Sequence, residues 1–199
     1  RGGAPANGVR FILYDVHTDT QDIGATEIGY VDLMDESTEI SRIVRLVAVS
    51  ADTEHVNYTV SQTILTGSVR FDILGFYGNP EVDRFGFDLS LLCELEETSS
   101  TVTLDYHFDV PGQNFVMDAT VVLMHDALTQ TSSSTLDIRF QQATRTLRMV
   151  GGCEGDLGSI EVYVDHQPFA YIAVTPDSIT VTGADGQDLT EQYAAAVQA

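Results

Sequence analysis

Lysine and tryptophan are absent from this chain, and cysteine occurs only twice. Without lysine there is no Schiff-base amine and no phosphate-gripping P-loop lysine. Positive charge is scarce: nine arginines stand against 30 acidic side chains, for a formal net charge of -21. Such a surface repels phosphate backbones and anionic headgroups, so nucleic acid is excluded as the expected partner. Cationic partners, divalent cations or a salty medium suit it. Long hydrophobic runs are also missing. The apolar stretch Val121 to Met124 is far short of the ~18 residues of a membrane-spanning helix. Catalytic signatures are lacking too: Gly67-Ser68 and Gly158-Ser159 are without the rest of a nucleophile elbow, and no metalloprotease, P-loop or dinucleotide pattern occurs.

Cys93 and Cys153 fit no metal or redox spacing. In an acidic β protein they read as one disulfide, stabilising by about 4 kcal/mol on the chain-entropy account. A disulfide implies an oxidising compartment, hence a periplasmic or secreted protein. The chain opens on Arg1 rather than Met, as a processed or trimmed end would. Asn57-Tyr58-Thr59 is a glycosylation sequon only in a eukaryotic secretory setting.

What is present is a period of two. Val69, Phe71 and Ile73 alternate with Ser68, Arg70 and Asp72. Phe85, Phe87, Leu89 and Leu91 alternate with Gly86, Asp88 and Ser90. Val102, Leu104, Tyr106 and Phe108 alternate with Thr103, Asp105 and His107. Strands of antiparallel sheets with one buried and one wet face have this pattern. Gly78-Asn79-Pro80, Pro111-Gly112, Gly151-Gly152 and Gln167-Pro168 punctuate the runs as turns. Arg10 to Val16 and Ile28 to Leu33 also read as strands. Ile40 to Val47 has a helical spacing, but its β-branched content favours a strand. The Ala-rich tail from Leu189 reads as a short helix capped by Thr190 or Asp188. The fold expected is therefore all-β: an antiparallel meander forming a sandwich or a strongly curved sheet, with a short C-terminal helix. Residues 1–199 read as a single domain, with a weak junction near 78–80.

Three hairpin registers follow from parity and charge. Around Pro111-Gly112, a four-residue loop pairs Phe108 with Phe115, Tyr106 with Met117 and Leu104 with Ala119, all on one face. Around residues 141–144, Asp137 opposite Arg148 is preferred to Arg139 opposite Arg148. Around Asp165 to Pro168, Val164 pairs with Phe169 and Val162 with Tyr171.

The first register puts Asp105 opposite Asp118, a carboxylate pair that suggests a weak calcium site. Other acidic clusters, Asp32 to Glu39, Glu94 to Glu97, and Asp15, Asp19 and Asp22 around His17, lack calcium-loop spacing and read as solvated faces. His125-Asp126 and His107-x-Asp109 could serve a hydrolase as a catalytic pair, though such neighbours are common. Phe85, Phe87, Tyr106, Phe108, Phe115 and Met117 could line an apolar surface for a lipid in a half-open barrel. Strands of about ten residues with short turns also match a membrane β-barrel, although the missing tryptophan, the expected disulfide and the outward Arg and Asp oppose it. The sequence thus points to a non-catalytic extracytoplasmic binding or accessory subunit, such as part of an envelope or membrane-associated assembly. It would meet other proteins through a sheet edge or face. A carrier of a hydrophobic ligand is the alternative, and a hydrolase the third.

Overall fold

The structure, a computed structural model, describes residues 3–17, 19–79 and 84–197. Thirteen strands follow one another: β1 Gly8–Val16, β2 Ile23–Asp35, β3 Ser41–Ser50, β4 Thr53–Leu65, β5 Ser68–Tyr77, β6 Phe85–Leu95, β7 Ser99–Val110, β8 Phe115–Asp126, β9 Thr131–Gln142, β10 Arg145–Glu154, β11 Leu157–Val164, β12 Gln167–Val174 and β13 Ile179–Gly183. A short helix, α1 (Thr190–Val197), ends the chain. The strands lie in a single sheet in sequence order, every neighbour antiparallel, and the sheet does not close. Of the two sequence-based alternatives, this is the single sheet and not the sandwich. Among the described residues no second layer covers either face. At ~4.8 Å between strands and ~3.3 Å per residue, the sheet measures roughly 58 Å by 33 Å.

The termini of the sheet differ. Beyond β13 the chain folds back along the outer edge. Gly183 N–H donates to Gln187 O at 2.8 Å, Leu189 N–H to Val181 O at 2.8 Å, and Val181 N–H to the Thr190 hydroxyl at 3.0 Å. Asp188 Oδ1 accepts the Thr190 amide at 2.9 Å where α1 begins, and the Thr190 hydroxyl and amide lower its carboxyl pKa. The outward groups of Val181 and Gly183 are thereby satisfied. At the other end, β1 pairs only with β2. Arg10 pins it there: Nε reaches Asp32 Oδ1 at 2.7 Å and Nη2 reaches Asp32 Oδ2 at 2.6 Å, with the guanidinium over the Tyr30 ring. The hydrogen bonds to Asp32 raise the Arg10 pKa.

Each expected register is corrected. Between β7 and β8 the four-residue loop is present, but the pairs are Val110–Phe115, Phe108–Met117 and Tyr106–Ala119, displaced by two residues. Parity fixes a register only to within two residues, so the faces are as expected and the partners are not. Between β9 and β10, Arg148 does stand opposite Arg139. The like charges are relieved on the diagonal, where Arg148 Nε and Nη2 donate to the two oxygens of Asp137 at 2.8 and 2.5 Å. Between β11 and β12 a two-residue turn, Asp165-His166, takes both residues to positive φ (49° and 65°). A bulge at Val162/Tyr163 then shifts β12 by one residue. Ala170 and Ile172 therefore share the face of Val162 and Ile160, while Phe169 and Tyr171 turn to the other side.

Candidate functional site

Residues directly opposite across a ladder share a face, so the pairings sort every strand. On one face β7 presents Val102, Leu104, Tyr106, Phe108 and Val110, with Leu89 and Leu91 of β6 and Val121 of β8 beside them. The same face continues through Leu136 and Ile138 of β9, Met149 of β10, Ile160 of β11 and Ile172 of β12 to Val181 of β13. From β5 to β13 the pairings put one Asp, Glu or Arg on it, Arg145 at the start of β10. The opposite face carries the ionic groups: Arg70 with Asp72, Arg148 with Asp137, and the Asp105, His107 and Asp118 group.

Seven aromatic rings crowd one end of the apolar face. Phe108 lies 6.1 Å from Phe85, 6.4 Å from Tyr106 and 6.1 Å, edge-on, from Phe115, and Tyr77 and Tyr58 extend the row through Phe85 and Phe87. Of the expected apolar stripe, Phe85, Phe87, Tyr106, Phe108 and Phe115 are in this group, and Met117 adjoins it opposite Phe108. At the other end β9 to β11 carry the smaller Ser134, Cys153 and Gly158, whereas β4 to β8 carry Ile64, Val69, Val102 and Leu123.

This face is not buried. Among the described residues no side chain falls below 2% exposure, and the buried apolar residues are Val47, Val110 and Val181. Phe11 is 54% exposed, Val60 and Phe71 38%, and Leu123 50%. The total accessible surface is 13327 Å², against ~9,200 Å² for a compact monomer of this mass.

The cysteines do not form the expected bridge. Both are free; Cys93 lies on β6 and Cys153 on β10, with three strands between them. Four strand spacings are ~19 Å, far beyond the ~7 Å limit for a disulfide. Both thiols project from the apolar face, Cys153 with its sulfur 3.0 Å from the Ser134 hydroxyl. The oxidising compartment, inferred from that bridge, loses its support with it.

The expected calcium pair also separates. Asp105 stands opposite Thr120, whose hydroxyl donates to it at 2.7 Å, and Asp118 stands opposite His107. His107 Nδ1 is 2.6 Å from Asp118 Oδ1, and its Nε2 is 4.0 Å from Asp109. No group of three or more potential metal ligands occurs among the described residues. His107 is about half exposed, and among the described residues no hydroxyl nucleophile is hydrogen-bonded to it. His125 bonds the Ser132 hydroxyl at 3.0 Å on the apolar face, while Asp126 lies on the polar one, so that neighbouring pair is split. Shallow grooves do open on the polar face. The largest near these groups, about 620 Å³, is lined by Asp118, Asp137, Arg139, Arg148, Tyr163 and His166. There Arg148 lowers the Asp137 pKa through its hydrogen bonds, and Glu161 raises that of Tyr163.

Sequence reading located the apolar stripe but took it for the lining of a curved or layered core; its continuity across nine strands needed the registers. Among the described residues no helix is long and apolar enough to cross a membrane. No family model, curated protein or solved structure matches the chain.

Proposed function

We propose that the chain is a non-catalytic binding subunit whose working surface is the apolar face of its sheet. One observation carries this: from β5 to β13 nearly every charge sits on one face, and the other is apolar with nothing over it among the described residues. A sheet face of this kind is stable in water only when another layer covers it. Exposed apolar patches far above a few hundred Å² mark interaction surfaces. The strand β1, with its outer edge unpaired, supports a second, smaller contact through main-chain pairing.

A carrier of a lipid or similar hydrophobic ligand is the second reading, supported by the contiguous aromatic row on β4 to β8. Both readings use the same face, and paired variants test that. Leu104 and Thr103 are adjacent on β7 and point to opposite sides. Leu104→Glu changes the associated state, read by native mass spectrometry, whereas Thr103→Glu leaves it as in the parent. Equal behaviour of the two, with both folded by circular dichroism, would remove the apolar face from the account.

A further inference from the structure

We infer that the layer covering the apolar face is a second copy of this chain, stacked face to face to form a two-layer sandwich. The inference rests on the reading that this face is the working surface, and names its occupant.

Three observations select a second copy. The first is area. The chain exposes about 4,000 Å² more than a compact monomer. The nine strands β5 to β13, roughly 38 Å by 33 Å, offer a footprint of ~1,300 Å². Two such faces in contact bury ~2,500 Å² in total, about a third of the two chains' combined excess and within the 2,000–5,000 Å² of obligate homodimers, whose interfaces resemble a domain core cut in half. The alternation that suggests a sandwich in the sequence is then satisfied, with each chain supplying one layer.

The second is shape. Antiparallel sheets twist with a fixed hand, and a twisted sheet is matched along its length by another of the same twist. An identical chain meets that condition; a flat bilayer surface does not.

The third is charge. At a formal net charge of -21, most contacts between copies repel, and anionic lipid repels the chain as well. Face-to-face stacking brings together nearly uncharged surfaces. It leaves the ionic faces more than a sheet spacing of ~10 Å apart, beyond the ~8 Å screening length at physiological salt.

The test uses the unaltered chain. Sedimentation equilibrium over a dilution series is combined with alkylation of Cys93, a free, part-exposed thiol on the apolar face. The expected result is a species of twice 21.7 kDa, with Cys93 alkylated at least tenfold more slowly than after dilution to monomer. A dimer whose Cys93 reacts at the monomer rate would join through another surface, and overturns the proposal. A monomer that binds an apolar dye overturns the second copy but leaves the binding face standing. A monomer that binds none overturns both. A chain that stays in solution only with detergent has lipid as its occupant, and likewise overturns the proposal.

Discussion

Truncating Phe108 measures how well the apolar face is covered. The ring sits in the aromatic row, with Phe85 and Phe115 at 6.1 Å and Tyr106 at 6.4 Å, and it is half-buried in one chain. If the face is open to water, Phe108→Ala loses about half of the ~3 kcal/mol of full Phe burial. It also weakens ring pairs worth ~0.5–1.5 kcal/mol when optimal. The cost is then roughly 2 kcal/mol. If a second layer covers the ring, Phe108→Ala also leaves a cavity, and the cost rises to the ~3–5 kcal/mol of core aromatic truncations. Urea unfolding at several protein concentrations reads the difference. The account predicts the larger value where the chain is associated and the smaller where it is dilute. A loss near 2 kcal/mol at every concentration would refute the reasoning.

Other outcomes follow from the same contacts. Arg148 holds the Asp137 pKa below its ordinary value, so this pair stabilises above the usual carboxylate range and is lost as pH falls through the depressed value. Both partners are about half exposed, so Asp137→Asn costs only ~0.2–1 kcal/mol at pH 7, and the gap to the parent closes in acid once the depressed Asp137 pKa is passed. Thiol titration of the denatured, unreduced chain gives two free thiols, because β7 to β9 lie between Cys93 and Cys153; a mass two daltons below the reduced value contradicts the strand order. His166→Gly relieves a left-handed residue in the β11–β12 turn and gains roughly 0.5 kcal/mol after glycine's entropy cost. A melting temperature unchanged or lowered in that variant would count against the turn geometry.

The strands and their faces were legible because side chains in a sheet have a period of two. The alternation in 69–73, 85–91 and 102–108 marks β5, β6 and β7, and the apolar set on each is the set the structure places together. Registers were less legible. Parity cannot separate Phe108–Phe115 from Phe108–Met117, since both keep the ring on the same side. Direct opposition of charges was the wrong criterion at Arg148, whose length lets it reach Asp137 diagonally. The bulge at Val162 leaves no mark in composition, so the inward set of β12 was assigned to the wrong residues. The cysteines erred for a different reason. Two cysteines suggest a bridge by number, but only the strand order shows them four strands apart. The proposed calcium pair depended on the first register and moved with it. Alternation also marks a buried face without saying what buries it, so a sandwich and a single sheet read alike.

The four methionines allow the most direct test, because two lie on each face: Met117 and Met149 on the apolar side, Met34 and Met124 on the polar side. In one chain Met34, Met117 and Met149 are similarly part-exposed. Brief peroxide or hydroxyl-radical treatment of the native protein, followed by peptide mass spectrometry, reports each site separately. The account predicts oxidation at Met34 and Met124 with Met117 and Met149 protected at working concentration, and loss of that protection on dilution. Oxidation of Met117 and Met149 at the rate of Met34 at every concentration would contradict it, because the apolar face would then be open to water.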